Sequence, residues 1–279
     1  MIPAAFGYTR PASLAEAISA VGSGGKIIAG GHSILPLLKL RLAQADTLVD
    51  IGRLAELKGY RPTPDGGVEI GALTTYKEWQ AATTMPAVAA AIDLIGDVQV
   101  RNRGTIGGSI AHADPASDGP AIALAFGASA VLRGPGGERV VPLDGFFEGP
   151  FTTGIHDDEI LVAIRRGPVP EGAGFNYQKL QQPASGYSIV GVGALVAMSG
   201  GKITHAGIGV TGVHEHPYRA EDVEAALVGS DGSDAAIAAA AAHVTDGVEV
   251  NSDIHADAAY RAAMAVVYTK RAIEGALGR

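Results

Sequence analysis

The chain has 279 residues, 47% of them hydrophobic and 18% charged, with a formal net charge of -8 and no cysteine. That length holds two or three small domains with sizeable cores, and the composition is that of a globular chain, not a disordered one. The acidic balance argues against a nucleic-acid surface, and the lack of cysteine excludes a disulfide, a thiolate nucleophile and a cysteine-ligated iron–sulfur cluster.

The chain opens on MIPAAFGYTR, which has neither the charged n-region nor the apolar h-region of a signal peptide. No later apolar run reaches the roughly 18 residues of a membrane span. Ser13-Leu-Ala-Glu16 is a capping-box pattern, and Leu14, Ala17, Ile18 and Val21 follow it at helical spacing up to Gly22. A strand over 26–29 runs into the double glycine Gly30-Gly31. Ser33 then stands as N-cap of a helix with Pro36 in its first turn, and a strand over 47–51 completes a β-α-β unit. A strand–Gly-Gly–helix corner presents backbone N–H groups and a helix dipole to an anion, with no Cβ in the way. An ordinary glycine-rich turn has the same appearance.

A second unit begins with a strand over 68–73. Thr75-Tyr-Lys-Glu78 is another capping box, opening a helix that carries Trp79, and a further helix runs from Pro86 to Ile95. Arg101, Asn102 and Arg103 lead into TIGGSIAHADPASD (105–118). Here Gly107 and Gly108 lie between the hydroxyls of Thr105 and Ser109, and Asp118 closes the segment. Two loops of this form can clamp one diphosphate from two sides, with a carboxylate for a ribose or an adenine amine. The two arginines read first as solvated or structural residues. A helix through Ile122, Leu124 and Phe126 follows, then strands over 130–133 and 160–165. The stretch 166–174, RGPVPEGAG, is the best boundary. Beyond it, 187–199 and 202–213 form a hairpin around Gly200-Gly201, followed by helices over 220–228, 233–244 and 257–277.

Three patterns imitate other chemistry. Gly207-Ile-Gly209-Val-Thr-Gly212 matches the dinucleotide glycine spacing but is not followed by a helix start. His214 and His216 with Glu215 suggest a metal, yet no third ligand is placed, and such residues beside a turn are more often plain surface. Ser109, His112 and Asp114 are triad residue types without a nucleophile elbow.

The pair AGGHS (29–33) and TIGGS (105–109), together with FGYTRPASLAEA (6–17), EIGALTT (69–75), DDEILVAIR (157–165) and NYQKL (176–180), resembles the FAD-binding medium subunit of the molybdenum hydroxylases, most closely the carbon monoxide dehydrogenase type. The resemblance covers nearly the whole chain. It implies an α+β fold: a two-part FAD-binding domain over 1–170, vanillyl-alcohol-oxidase (PCMH)-like, with parts about 1–55 and 56–170. A C-terminal domain over 175–279 follows, a small antiparallel sheet packed on helices. Residues Ile27, Ile28, Ala29, Gly30, Gly31, His32, Ser33 and Ile34 would wrap the FAD diphosphate, with Thr105, Gly107, Gly108 and Ser109 on its other side. Asp118 would take the ribitol, ribose or adenine, Thr74 and Ile95 would line the cofactor, and Leu161 would supply an apolar contact. Lys179 would sit beside the flavin with its charge favouring the reduced form, and Tyr187 would lie against the isoalloxazine. Ser109 replaces an asparagine common among relatives, and QQPASGYS (181–188) lacks their usual basic and acidic pair, which weakens the Tyr187 assignment.

The resemblance further implies an oxidoreductase subunit with no catalytic acid or base and no metal ligand of its own. Molybdenum cofactor and [2Fe–2S] clusters would sit on a large and a small partner in a dimer of heterotrimers. The chain would pass electrons through FAD to an external acceptor, in the cytoplasm, with partners able to bring it to the inner face of the membrane. A stand-alone flavin oxidase and a non-enzymatic flavin-binding module are the alternatives.

Overall fold

The computed structural model describes residues 1–279. Its first sheet is parallel: β1 (Gly7–Thr9), β2 (Lys26–Ile28) and β3 (Thr47–Asp50) in the order β1-β3-β2. Helix α1 (Leu14–Gly22) starts at Ser13, whose side chain accepts from the Glu16 amide. The Glu16 carboxylate reaches back to the Ala12 N–H at 2.8 Å, one residue outside a strict capping box. Leu14, Ala17 and Val21 are buried on one face of α1 and join Val49 and Ile51 in one apolar cluster. The same cluster takes in Val131, Ile160 and Val162 of the next sheet, so the small parallel unit is cemented to it. Helix α2 (Ile34–Leu40) links β2 to β3.

The second unit holds β4 (Tyr60–Pro62) and β5 (Val68–Gly71), then five helices: α3 (Tyr76–Ala82), α4 (Pro86–Asp93), α5 (Val98–Arg103), α6 (Ile106–His112) and α7 (Asp118–Ala125). Strands β6 (Ser129–Gly134) and β7 (Gly137–Pro142), the short ribbon β8 (Phe147–Gly149) and β9 (Thr152–Thr153), and β10 (Ile160–Arg166) complete it. The sheet is antiparallel in the order β4-β5-β10-β6-β7. Thr75 and Glu78 form the full reciprocal capping box at α3. Residues 98–103 and 106–112, expected as a lead-in and a loop, are helices: Asp97 caps α5 by accepting from the Val100 N–H, and Thr105 caps α6.

A third, antiparallel sheet contains β11 (Gly174–Gln181), β12 (Ser188–Ser199), β13 (Lys202–Thr211) and β14 (Tyr218–Arg219) in that order. Helices α8 (Glu221–Leu227), α9 (Asp234–Ala241) and α10 (Ala258–Ala276) pack with it around a core of Val192, Ile208, Val223, Ile237 and Ile273. No helix of the chain is long and apolar enough to cross a membrane.

Helix α7 joins the second unit to the third. All eight of its residues are buried, as its sequence DGPAIALA, apolar on nearly every side, requires. It lies on glycines of β12 and β13. A methyl group on Gly207 would come within 2.2 Å of the Ala125 carbonyl oxygen, and one on Gly209 within 2.0 Å of that of Ala121. The glycine series at 207–212 is thus a seat for a helix backbone, and Gly212 closes it with φ +81°. Replacing Gly209 by Ala is expected to displace α7 and lower unfolding free energy by about 1–3 kcal/mol. The control Gly136→Ala, at a position with open space around it, is expected to stay within ~0.5 kcal/mol; urea titration of both variants checks this.

Candidate functional site

The first glycine corner leaves its donors free. Gly31 takes φ +83°, a conformation glycine adopts without strain. The chain turns early into α2, with the Leu35 N–H donating to the Gly31 carbonyl at 3.1 Å. Ser33 is therefore already helical (φ -97°, ψ -54°) and makes no side-chain cap, contrary to expectation. The amides of Ala29, Gly30, Gly31, His32, Ser33 and Ile34 find no acceptor within the chain. His32 is exposed, while Ile27, Ile28 and Ile34 are half-buried beneath the turn. Six adjacent N–H groups without an acceptor in the chain, at a helix start, can be satisfied by an anion.

The second corner is built differently. The Thr105 hydroxyl accepts from the Gly108 N–H at 3.0 Å. Gly107 is buried, its N–H donates to the Ala72 carbonyl at 3.0 Å, and a methyl there would lie 2.4 Å from the Ala72 side chain. Thr105 and Gly107 thus fix the corner, and their polar groups are already engaged. What faces outward is the exposed Gly108 and the half-buried Ser109, whose hydroxyl accepts from the Tyr76 O–H at 2.6 Å. A buried tyrosine holding Ser109 in place was not foreseen. The two corners are thus unlike, with free amides on one and a smooth glycine and a hydroxyl on the other.

Gly30 joins the two corners. A methyl on it would stand 2.1 Å from the Arg103 carbonyl oxygen and 3.2 Å from the Gly104 Cα. The first corner therefore rests on the end of α5, immediately before Thr105. Arg101 is structural: its guanidinium donates to the carbonyls of Asp93, Ile95 and Gly96, each at 3.1 Å. Arg103 is exposed and forms no ion pair, leaving a free cation beside the junction.

Asp118 lies at the first turn of α7, 5% exposed. Its Oδ1 accepts from the Tyr177 and Ser188 hydroxyls at 2.6 and 2.7 Å, and its Oδ2 from the Lys179 ammonium at 2.8 Å. Lys179 also donates to the Leu94 carbonyl at 2.9 Å, and its side chain is 1% exposed. Asp118 and Lys179, both expected beside the cofactor, form one buried ion pair. Gly191 makes it possible, since a methyl there would collide with the Tyr177 hydroxyl at 2.3 Å. Burial, reinforced by the Asp118 charge, pushes the Tyr177 hydroxyl well above its usual range. Tyr76 is raised too, again chiefly by burial. Tyr177 and Lys179 alternate along β11 and so share a face, the one sequence signal that could have linked them.

Of the remaining positions, Thr74 turns its hydroxyl to the Gly59 backbone at 2.9 Å, and Leu161 and Ile95 are buried in the central apolar cluster. Tyr187 is half exposed at the end of a turn whose Gly186 approaches Gly96. Burial also raises the Asp114 carboxyl and lowers the His112 imidazole. His112 stacks obliquely on Phe151 with centroids 5.0 Å apart, and Asp114 accepts from the Ala116 N–H. Neither reaches Ser109, so no triad exists.

Residues 4–169 match the family model of the FAD binding domain in molybdopterin dehydrogenase, and residues 175–276 that of the CO dehydrogenase flavoprotein C-terminal domain. The chain is 40% identical, over 100% of its own length and 99% of the other, to the carbon monoxide dehydrogenase medium chain of Hydrogenophaga pseudoflava. It is 36% identical to the glyceraldehyde dehydrogenase medium chain of Sulfolobus acidocaldarius, over 98% of this chain and 99% of that one. A solved carbon monoxide dehydrogenase from H. pseudoflava, which lacks the Mo-pyranopterin moiety of its molybdenum cofactor, contains a chain that superposes with a TM-score of 0.96. The identity there is 41%, covering 100% of this chain and 99% of that one.

Removing one member of the buried pair is expected to strand the other. Asp118→Ala should cost about 3–5 kcal/mol, with the double variant Asp118→Asn/Lys179→Met recovering part of the loss; denaturant unfolding measures both. Alkaline pH is expected to act through the tyrosines. The folded chain keeps Tyr177 and Tyr76 protonated where the unfolded chain would ionise them. Stability is thus fully present below pH 10 and falls above it by up to about 1.4 kcal/mol per pH unit for each such tyrosine. A Tyr177→Phe variant is expected to show a shallower fall in pH-dependent urea titrations.

Proposed function

The chain belongs to the FAD-binding medium subunits of the molybdenum hydroxylases, oxidoreductase complexes of the carbon monoxide dehydrogenase type, and from that premise we propose that it carries electrons from iron–sulfur clusters on a small partner chain, through FAD, to an external acceptor. A large partner chain would hold the molybdenum cofactor and oxidise the substrate, the whole being a cytoplasmic dimer of heterotrimers that reaches the inner face of the membrane only through its partners. The observation that carries the reading is the run of six unpaired amides from Ala29 to Ile34, held by Gly30 against the second glycine corner. The absence of cysteine supports placing the clusters elsewhere. The working division we adopt is an FAD-binding domain over 1–170 and a C-terminal domain over 175–279.

FAD, when bound, supplies a centre that accepts single electrons and releases two. The chain's own residues position it. Residues 29–34 would donate their N–H groups to the diphosphate oxygens, with Arg103 adding charge at the rim. Gly108 would let the diphosphate approach from the opposite side, and Ser109, oriented by Tyr76, would offer a hydroxyl. The Asp118–Lys179 pair would present a fixed dipole with no net charge, and Tyr187 would cover one edge and limit access of the acceptor. Tyr177 and Ser188 hold that pair in register. No residue of the chain is assigned an acid–base step.

Purification of the chain from its own host under native conditions tests the proposal. FAD, iron and molybdenum with a large and a cysteine-rich small partner are expected. FAD alone with no partner would indicate a stand-alone flavoprotein, and no flavin would overturn the site. Gly30→Ala, which forces the two corners apart, is expected to lower FAD content at least about tenfold. Arg103→Ala should weaken FAD binding by roughly tenfold at low salt, or ~1.4 kcal/mol, and by less at high salt; fluorescence titration of released FAD measures both.

A further inference from the structure

The turn between β13 and β14 contains His214, Glu215 and His216, remote in role from everything described above. Sequence spacing left them as surface residues, because two histidines two apart need not converge. In the fold they do. One ring nitrogen of each histidine and a carboxylate oxygen of Glu215 all lie within 4.8 Å of one another. The two rings meet edge to face with centroids 4.5 Å apart.

The hydrogen bonds fix the protons. His214 Nδ1 lies 2.6 Å from the Glu249 carbonyl oxygen, and His216 Nδ1 lies 2.9 Å from that of Pro217. A carbonyl oxygen only accepts, so each Nδ1 is the protonated nitrogen, and each neutral ring carries its lone pair on Nε2. A histidine that ligates a metal through one nitrogen characteristically donates the other N–H to a carbonyl or carboxylate, which sets its tautomer and orientation. Both histidines here have that support already. They are half-buried while Glu215 is exposed, so the rings are held and the cluster remains open to ions.

We propose that His214, Glu215 and His216 bind one divalent late first-row transition ion, Zn²⁺, Ni²⁺ or Cu²⁺, through one ring nitrogen of each imidazole and the Glu215 carboxylate, with water completing the shell. Two imidazoles and one carboxylate suit these ions and not Mg²⁺ or Ca²⁺, which favour all-oxygen sets. The role is structural. The Glu249 carbonyl that orients His214 belongs to the connection between α9 and α10. That connection meets the turn again where the Asn251 N–H donates to the Val213 carbonyl at 2.8 Å, and the Tyr218 hydroxyl donates to the Val244 carbonyl at 2.8 Å. An ion at the turn would therefore staple β13 and β14 to the segment leading into α10.

The test uses the untagged full chain after EDTA treatment. One Cu²⁺ per chain is expected, with electron paramagnetic resonance showing coupling to two imidazole nitrogens, and Zn²⁺ is expected to raise the thermal unfolding midpoint and to compete with Cu²⁺. His214→Gln/His216→Gln should lose the two-nitrogen signal and the Zn²⁺ shift while the other histidines of the chain remain. His216→Gln alone should reduce the coupling to one nitrogen, which keeps the test decisive should the double variant fold poorly. Glu215→Gln should keep both nitrogens and bind more weakly. No binding by the wild-type chain, or an unchanged two-nitrogen signal in the His216→Gln variant, would overturn the proposal.

Discussion

Everything near the cleft depends on one buried carboxylate. Asp118 begins α7 with its oxygens filled by Tyr177, Ser188 and Lys179, three groups from the C-terminal sheet. An isolated charge at that depth would cost several kcal/mol, and the pair is tolerable because both ions are hydrogen-bonded as well as matched. The geometry works only because α7 can lie directly on β12 and β13, where Gly193, Gly207 and Gly209 stand in place of side chains. Electrostatics and packing therefore impose the same docking position. The loop before α7 is tied down by the same sheet: the Pro115 carbonyl accepts from the Gly212 N–H at 2.7 Å and from the Thr211 hydroxyl at 2.8 Å.

That docking carries over to the two glycine corners. They look alike in sequence but have opposite tasks. In the first, glycine frees backbone donors, and Gly31 supplies the left-handed turn. In the second, Gly107 is pressed against Ala72 and the Thr105 hydroxyl caps its own helix, so the corner is a rigid wall. Gly30, the one residue small enough to touch the Arg103–Gly104 backbone, sets the spacing between donor and wall. An anion binds most tightly to donors that do not have to reorganise, and a donor corner packed at a set distance from a rigid wall is built for that.

Relatives named for carbon monoxide and for glyceraldehyde share this chain's length and fold. That is reasonable physically. The features described here concern cofactor seating and domain docking, and none of them forms a pocket shaped to a particular oxidisable substrate.

Much was legible without coordinates. Capping boxes marked α1 and α3, alternation and turn glycines marked the β12–β13 hairpin, and the paired motifs located both corners. Each of those signals is local, set by the conformational preferences of a few adjacent residues. What only the structure added has a different cause. Ser33 looked like a cap, yet the chain turned into its helix two residues earlier. Asp118 and Lys179, both expected at the cofactor, are 61 residues apart in sequence and also bonded to each other. Gly207 and Gly209 imitate a nucleotide motif but read as a glycine-rich strand, which they form, and the structure adds that they seat a helix. His214 and His216 with Glu215 suggest a metal but read as surface residues, and backbone carbonyls hold both rings where the three side chains converge. The amino-acid sequence by itself determined most of the strands and helices and both glycine corners, α5 and α6 excepted. Only the tertiary structure decided which buried polar groups satisfy one another and which donors remain free, because hydrogen-bond satisfaction in a low-dielectric interior is settled between segments distant along the chain.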